Sequence, residues 1–120
     1  MNKEKTKQYY ASLGEDDLCM CAYCRHYRRH VRESYSHLAE WMDSHGIDIE
    51  KPHETMPLDP YDNRITYICT QYVVIGTQDD LLDDLPEGID LHVTTSHPYV
   101  ESNEPFFVIE TDEMDLPWNN

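Results

Sequence analysis

Glycine is scarce in this chain, four residues in 120. No phosphate-cradling glycine-rich loop can be built from so few. Neither a Gly-x-Ser-x-Gly elbow nor a His-Glu-x-x-His string occurs, so the common nucleotide-binding, hydrolase and metalloprotease signatures are excluded. Nothing in the sequence positively supports catalysis, and the balance leans to a protein that is not an enzyme. Apolar runs are short too. None approaches the ~20 residues needed to span a bilayer. The charged start Met1-Asn2-Lys3-Glu4-Lys5-Thr6-Lys7 is not followed by the apolar stretch of a signal peptide. The expectation is therefore a reducing cytoplasm, where clustered cysteines act as metal ligands, redox groups or free thiols rather than as a disulfide framework. With no boundary, repeat or low-complexity tract, a single domain over 1–120 is expected, large enough to bury a core without cross-links.

Positive charge is the other shortage. Nine Lys and Arg stand against 24 Asp and Glu, a net of −15. The imbalance is uneven: residues 1–32 carry seven bases against four acids, a net of +3, and residues 33–120 two bases against twenty, a net of −18. Such a surface repels nucleic acid and anionic membrane and suits a basic partner. An acidic inhibitor of a basic toxin or nuclease is one function it allows, although many proteins are acidic only to stay soluble.

What the sequence does have is a patterned order of elements. Lys3 to Leu13 has helix-forming composition, stops at Gly14, and places Tyr9, Tyr10 and Leu13 along one edge. From Tyr23 to Ser44, Tyr27, Val31, Tyr35, Leu38 and Met42 fall on one helical stripe, with Gly46 placed to cap the C-terminal end. Residues 47–64 read as extended and irregular, since Pro52, Pro57 and Pro60 forbid a helix, and Pro60-Tyr61-Asp62-Asn63 reads as a turn. Ile65 to Ile75 is rich in β-branched and aromatic residues with apolar groups on both faces, the pattern of a central strand. Asp79 to Gly88 is an acidic connection with a short helical turn at Leu81 and Leu82. Ile89 to Thr95 alternates as a half-buried strand, and Phe106 to Thr111 forms another. Leu116-Pro117-Trp118 is a tail suited to covering a sheet edge. The fold class expected is α+β: two N-terminal helices packed on one face of a small, mostly antiparallel sheet of three to four strands.

The run Cys19-Met20-Cys21-Ala22-Tyr23-Cys24 carries the chemistry. Cys21-x-x-Cys24 has the spacing of a metal-binding knuckle, and Cys19 supplies a third thiolate for one Zn²⁺. No second Cys-x-x-Cys completes the set, so the fourth ligand is not fixed by spacing: His26, Cys69, His92 and His97 are the candidates. The same residues permit thiol–disulfide chemistry at Cys21 and Cys24, with the Cys24 thiolate favoured by a helix N-terminus and by Arg25 and Arg28. Against that reading, the strand that precedes such a motif in thioredoxin-like proteins is absent. Reduced cysteines serving as small apolar residues are the plain alternative.

Other clusters read less sharply. His26, His30, Glu33 and His37 share a narrow helical arc able to chelate Zn²⁺ or Ni²⁺, although histidines on a helix surface are commonly just solvated. The ridge Arg25, Arg28, Arg29 and Arg32 is expected to pair with the protein's own carboxylates or with another copy. The run Asp79-Asp80-Leu81-Leu82-Asp83-Asp84 lacks the ligand alternation and central glycine of a calcium loop.

Four strings, Cys19-Met20-Cys21-Ala22-Tyr23-Cys24-Arg25, Gly46-Ile47-Asp48-Ile49-Glu50-Lys51-Pro52, Gln71-Tyr72-Val73-Val74 and Thr95-Ser96-His97-Pro98, together resemble a group of small uncharacterised bacterial proteins from Firmicutes. The resemblance covers most of the chain after residue 10. It implies a bacterial cytoplasmic protein and no particular activity. Because the cysteine run and the Ser-His-Pro string occur together in that group, it also implies His97, ahead of Cys69, as the fourth ligand. The sequence thus points to a monomeric or homodimeric binding or interaction module, with Cys19, Cys21, Cys24 and His97 around a structural Zn²⁺.

Overall fold

The computed structural model describes residues 1–78 and 84–118. Three α-helices lead the chain, α1 (Lys3–Ser12), α2 (Ala22–Ser34) and α3 (Ser36–Ser44), with a 3-10 turn at Glu15–Asp17 between the first two. Five strands follow: β1 (Glu54–Pro57), β2 (Arg64–Ile75), β3 (Leu91–Thr94), β4 (Phe106–Thr111) and β5 (Met114–Pro117). Every pairing is antiparallel, in the order β1-β2-β4-β3, with β5 also on β2. The α+β class stands. Its details differ from expectation, with three α-helices instead of two and five strands instead of three to four among the described residues.

Local chemistry explains the helix limits. The Asn2 side chain accepts from the Lys5 amide at 2.9 Å and caps α1. The helix docks on the sheet through Tyr10, whose hydroxyl donates to the Val73 carbonyl at 2.7 Å, and through fully buried Thr6. The single helix expected from Tyr23 to Ser44 is broken at Tyr35 (φ −128°, ψ 61°). The cause is tertiary: the Tyr35 hydroxyl accepts from the Asp115 amide at 2.9 Å and so ties the break to β5. Gly46 closes α3 at φ +79°, with the Ile47 amide returning to the Met42 carbonyl at 2.9 Å, as a C-terminal glycine should.

β2 is the axis of the sheet. Thr55 faces Thr70 but Pro57 faces Tyr67, so Ile68 and Cys69 of β2 stand against Met56 alone. Such a bulge shifts which residues face inward. Ile65 and Tyr67 before it, and Tyr72 and Val74 after it, all reach the main core beside Tyr27, Val31, Leu38 and Met42. Strands β4 and β5 make the same switch together: Gln71 faces Glu110 and, four residues on along each chain, Tyr67 faces Met114. Phe107 and Ile109 therefore share the main core with Met114 and Leu116. A second, smaller core of Val73, Ile75, Val100 and Val108 lies behind β2 and β4. Apolar residues on both faces of β2 thus follow from two cores and a bulge.

The strand expected at Ile89–Thr95 is confined to Leu91–Thr94, and Phe106–Thr111 appears as expected. The tail expected to cover an edge is a ladder strand, β5, followed by Trp118. The helical turn expected at Leu81 and Leu82 lies outside the described residues. Among the described residues, no helix is long and apolar enough to cross a membrane.

Candidate metal centre

The 3-10 turn delivers the chain to the cysteines. The Gly14 amide donates to Asp17 Oδ2 at 2.9 Å and fixes the turn. Cys21 then becomes the N-cap of α2, its Sγ accepting from the Cys24 amide at 3.4 Å. That contact folds the run back on itself. The Sγ atoms of Cys19, Cys21 and Cys24 all lie within 4.8 Å of one another, and among the described residues this is the one group of three or more His, Cys, Asp or Glu able to hold a metal ion. A tetrahedral zinc with Zn–S ~2.3 Å sets its sulfurs roughly 3.8 Å apart. Closing the group on an ion therefore asks for a movement of about 1 Å or less.

Cys19 and Cys21 are exposed and Cys24 is partly buried. Cys24 Sγ sits 3.3 Å from Thr55 Oγ1, so the knuckle touches the edge strand β1. The thiols differ electrostatically. The Cys24 amide, an unsatisfied donor of the first helical turn, is the main cause lowering the Cys21 thiol below its ordinary value. Burial pushes the Cys24 thiol up to about 12, with Thr55 opposing in part. The expectation that Cys24 carries the stabilised thiolate is thus corrected. Cys21 occupies the cap, and Cys24 lies in the first turn beneath it.

A small cavity of about 40 Å³ opens beside the cluster, lined by Cys19, Cys24, Asp17, His53, Glu54 and Thr55. His53 Nε2 lies 3.0 Å from the Pro98 carbonyl. With its proton on Nε2, the ring donates there and leaves the Nδ1 lone pair free, the second-shell pattern common for metal-binding histidines. Neither His97, the fourth ligand suggested by resemblance, nor His53 has a ligand atom within 4.8 Å of all three sulfurs; of the two, only His53 lines the cavity beside them. The His97 ring packs against those of His53 and Phe106, at 6.2 and 6.0 Å, and its Nδ1 lies 2.8 Å from the Pro98 carbonyl. Sequence reading missed His53 because it lies just ahead of β1, a strand with no readable register.

The remaining candidates are occupied elsewhere. Cys69 lies in the β2 bulge, its thiol raised by burial and by Glu110. His92 Nε2 is 3.0 Å from Glu110 Oε2. His26 Nε2 contacts the Pro117 carbonyl at 2.6 Å, and its ring lies between those of His30 and Trp118 at 4.3 and 4.7 Å. Desolvation lowers the His30 imidazole, and His26 adds to the effect. His37 lies beyond the break at Tyr35, so the arc of His26, His30, Glu33 and His37 is not one continuous face. In the arginine ridge, Arg32 binds Asp43 and Glu50 at 2.8 and 2.9 Å, and Arg28 donates to the Glu50 carbonyl at 2.9 Å.

Comparison of the chain with protein-family models, with curated proteins and with solved structures finds no match.

Proposed function

We propose that this chain is a non-enzymatic binding module in which a zinc ion on Cys19, Cys21 and Cys24 clasps the start of α2 to the edge of the sheet. The observation that carries the reading is the convergence of the three sulfurs within 4.8 Å. The short run and the Cys21 cap bring the sulfurs together, and three soft donors at that separation suit one soft metal ion. His53 is the fourth ligand, through Nδ1, because it shares the small cavity with Cys19 and Cys24 and is oriented by Pro98. In this role His53 replaces His97, which takes its place in the supporting layer. With His53 as the fourth ligand the site would be of the closed, structural kind, all four positions being filled by the protein. The setting that goes with it is a reducing bacterial cytoplasm.

Elemental analysis or native mass spectrometry of untagged protein tests the reading. One zinc per chain is expected, with loss of thermal stability under chelator. Metal-free protein with all thiols titratable and unchanged melting under chelator would sink it.

A second reading, thiol–disulfide exchange at Cys21 and Cys24, is favoured by one contact: the Cys24 amide on Cys21 Sγ, which is how a helix start activates a thiol. It predicts rapid alkylation of Cys21 at neutral pH and a reversible Cys21–Cys24 disulfide. Slow alkylation of a metal-free sample decides against it.

A further inference from the structure

The chain carries nine basic residues, and four of them, Lys3, Lys7, Arg32 and Lys51, line one cleft of about 370 Å³. In a molecule of net charge −15 this is a marked local reversal. The cleft is framed by α1, the end of α2 and the loop after α3. Gly46 allows its close walls, since a Cβ there would stand 2.6 Å from the Lys3 carbonyl.

The four cations are not equivalent. Arg32 is held by Asp43 at 2.8 Å, Glu50 at 2.9 Å and Asp48 at 3.8 Å, which directs the two carboxylates lining the cleft toward the guanidinium and leaves that wall acidic, opposite the lysines. Lys51 Nζ donates to the Tyr10 and Leu13 carbonyls at 2.8 and 3.0 Å. An ammonium has three N–H groups, so one remains to offer, and no carboxylate cancels its charge. Among the described residues, Lys3 and Lys7 make no hydrogen bond or ion pair with a side chain. Being four apart on α1, they present both ammonium groups to the same side. Lys5, between them, is instead spent on Glu104 at 2.9 Å.

We infer that this cleft binds a small organic phosphate, its phosphoryl oxygens held by Lys3, Lys7 and Lys51. Three ammonium groups with no carboxylate in direct contact suit a compact dianion as point charges on the lysine side of the cleft. Tyr10, Ala11 and Ile47 add apolar wall against which an organic part can rest, and the volume exceeds what a bare phosphate fills. The acidic remainder of the surface selects for size. Its repulsion is screened beyond about 8–10 Å at ordinary ionic strength, so a small anion seated in the cleft feels mainly the lysines. A nucleic acid strand would continue across the acidic surface and be repelled.

The test is an amide chemical-shift titration of the full chain with AMP, inorganic phosphate and adenosine. Saturable shifts confined to α1 and residues 46–51 are expected with AMP, weaker ones with phosphate, and none with adenosine. K3E and K7E, both at exposed positions, should each weaken AMP binding by at least about tenfold, the loss of one charge-assisted hydrogen bond. K5E, two residues from each of them, should leave it unchanged. K3Q and K7Q provide the same comparison without charge reversal if either reversal perturbs the spectrum elsewhere. The proposal is overturned by the absence of saturable shifts, by equal losses in K5E and K7E, or by adenosine binding as well as AMP.

Discussion

Substitution of Tyr72 by Phe should cost far more than substitution of its partner Tyr27, although both rings are fully buried and share one hydrogen bond. The asymmetry follows from donor direction. The Tyr72 hydroxyl donates to the Ile49 carbonyl at 2.8 Å, so in the Tyr27–Tyr72 contact it must accept, and Tyr27 donates. Y72F removes the middle of this relay and orphans two buried groups, the Tyr27 hydroxyl proton and the Ile49 carbonyl. Each orphan costs roughly 1–3 kcal/mol. Thr70 Oγ1 tempers the cost: it lies near the Tyr27 hydroxyl and is buried without a hydrogen-bond partner of its own. A released Tyr27 can turn to it, which places Y72F at about 3 kcal/mol. Y27F removes only the terminal donor and leaves Tyr72 bonded to Ile49, for about 1 kcal/mol. In the double variant only the Ile49 carbonyl is orphaned, so the two effects are less than additive by about 1 kcal/mol. Adding T70V to Y72F should restore the lost penalty. Urea unfolding followed by tryptophan fluorescence measures all of these. A Y27F at least as destabilised as Y72F, or strict additivity in the double variant, would refute the assigned direction of the relay.

Three further outcomes are expected. G46A should lower stability by about 3 kcal/mol in thermal unfolding, because a left-handed residue gains a Cβ and α1 must move off the Lys3 carbonyl contact; G88A, at φ +87° with nothing within 4 Å, should cost only the backbone part, about 1 kcal/mol. Metal-free protein should lose stability as pH rises above about 9. Burial raises the Cys24 thiol to about 12 and also raises the hydroxyls of Tyr10, Tyr27, Tyr67 and Tyr72. Groups raised on folding stabilise fully below their unfolded values, 9.0 for the thiol and 10.0 for the phenols, and that stability is lost as pH climbs toward the folded values; gradual ionisation of these tyrosines without unfolding, seen as tyrosinate absorbance, would contradict it. Zinc affinity should rise at least about tenfold per pH unit between 6.5 and 7.5, since Cys24 must release its proton to bind; a pH-independent affinity in a chelator competition would contradict Cys24 as a ligand.

Legibility in the sequence followed how local each cause was. The strands at Phe106–Thr111 and around Ile65–Ile75 could be read because β-branched and aromatic side chains express their preference residue by residue. β1 and β5 could not. Each is four residues long and contains a proline, Pro57 and Pro117, which single-sequence reasoning takes as a break. Both strands pair on one side only among the described residues, where a missing amide is tolerated. The helix break at Tyr35 was equally hidden. The stripe Tyr27, Val31, Tyr35, Leu38 and Met42 keeps its helical spacing straight through it, and only the hydrogen bond from Asp115, eighty residues away, shows why the turn fails there.

The candidate site divides along the same line. Cys19, Cys21 and Cys24 were legible because six residues of chain force three thiols into one neighbourhood, and a helix cap then closes the group. The thiol electrostatics were not legible. A shift of one helical register exchanges the roles of Cys21 and Cys24, and sequence alone fixes helix starts no better than that. The histidine question turns on β1. Pairing Thr55 with Thr70 sets Thr55 against Cys24 and carries His53, two residues earlier, to the same small cavity. His97 arrives beside His53 from the loop after β3, with the two rings 6.2 Å apart. The ion itself discriminates between them. If His53 is the ligand, H53A should lower zinc affinity sharply while H97A, which removes only a supporting ring, lowers it modestly. Equal and small effects would mean that the three thiolates hold the metal with water in the fourth position, and the site would then be open to a ligand instead of closed around a strut.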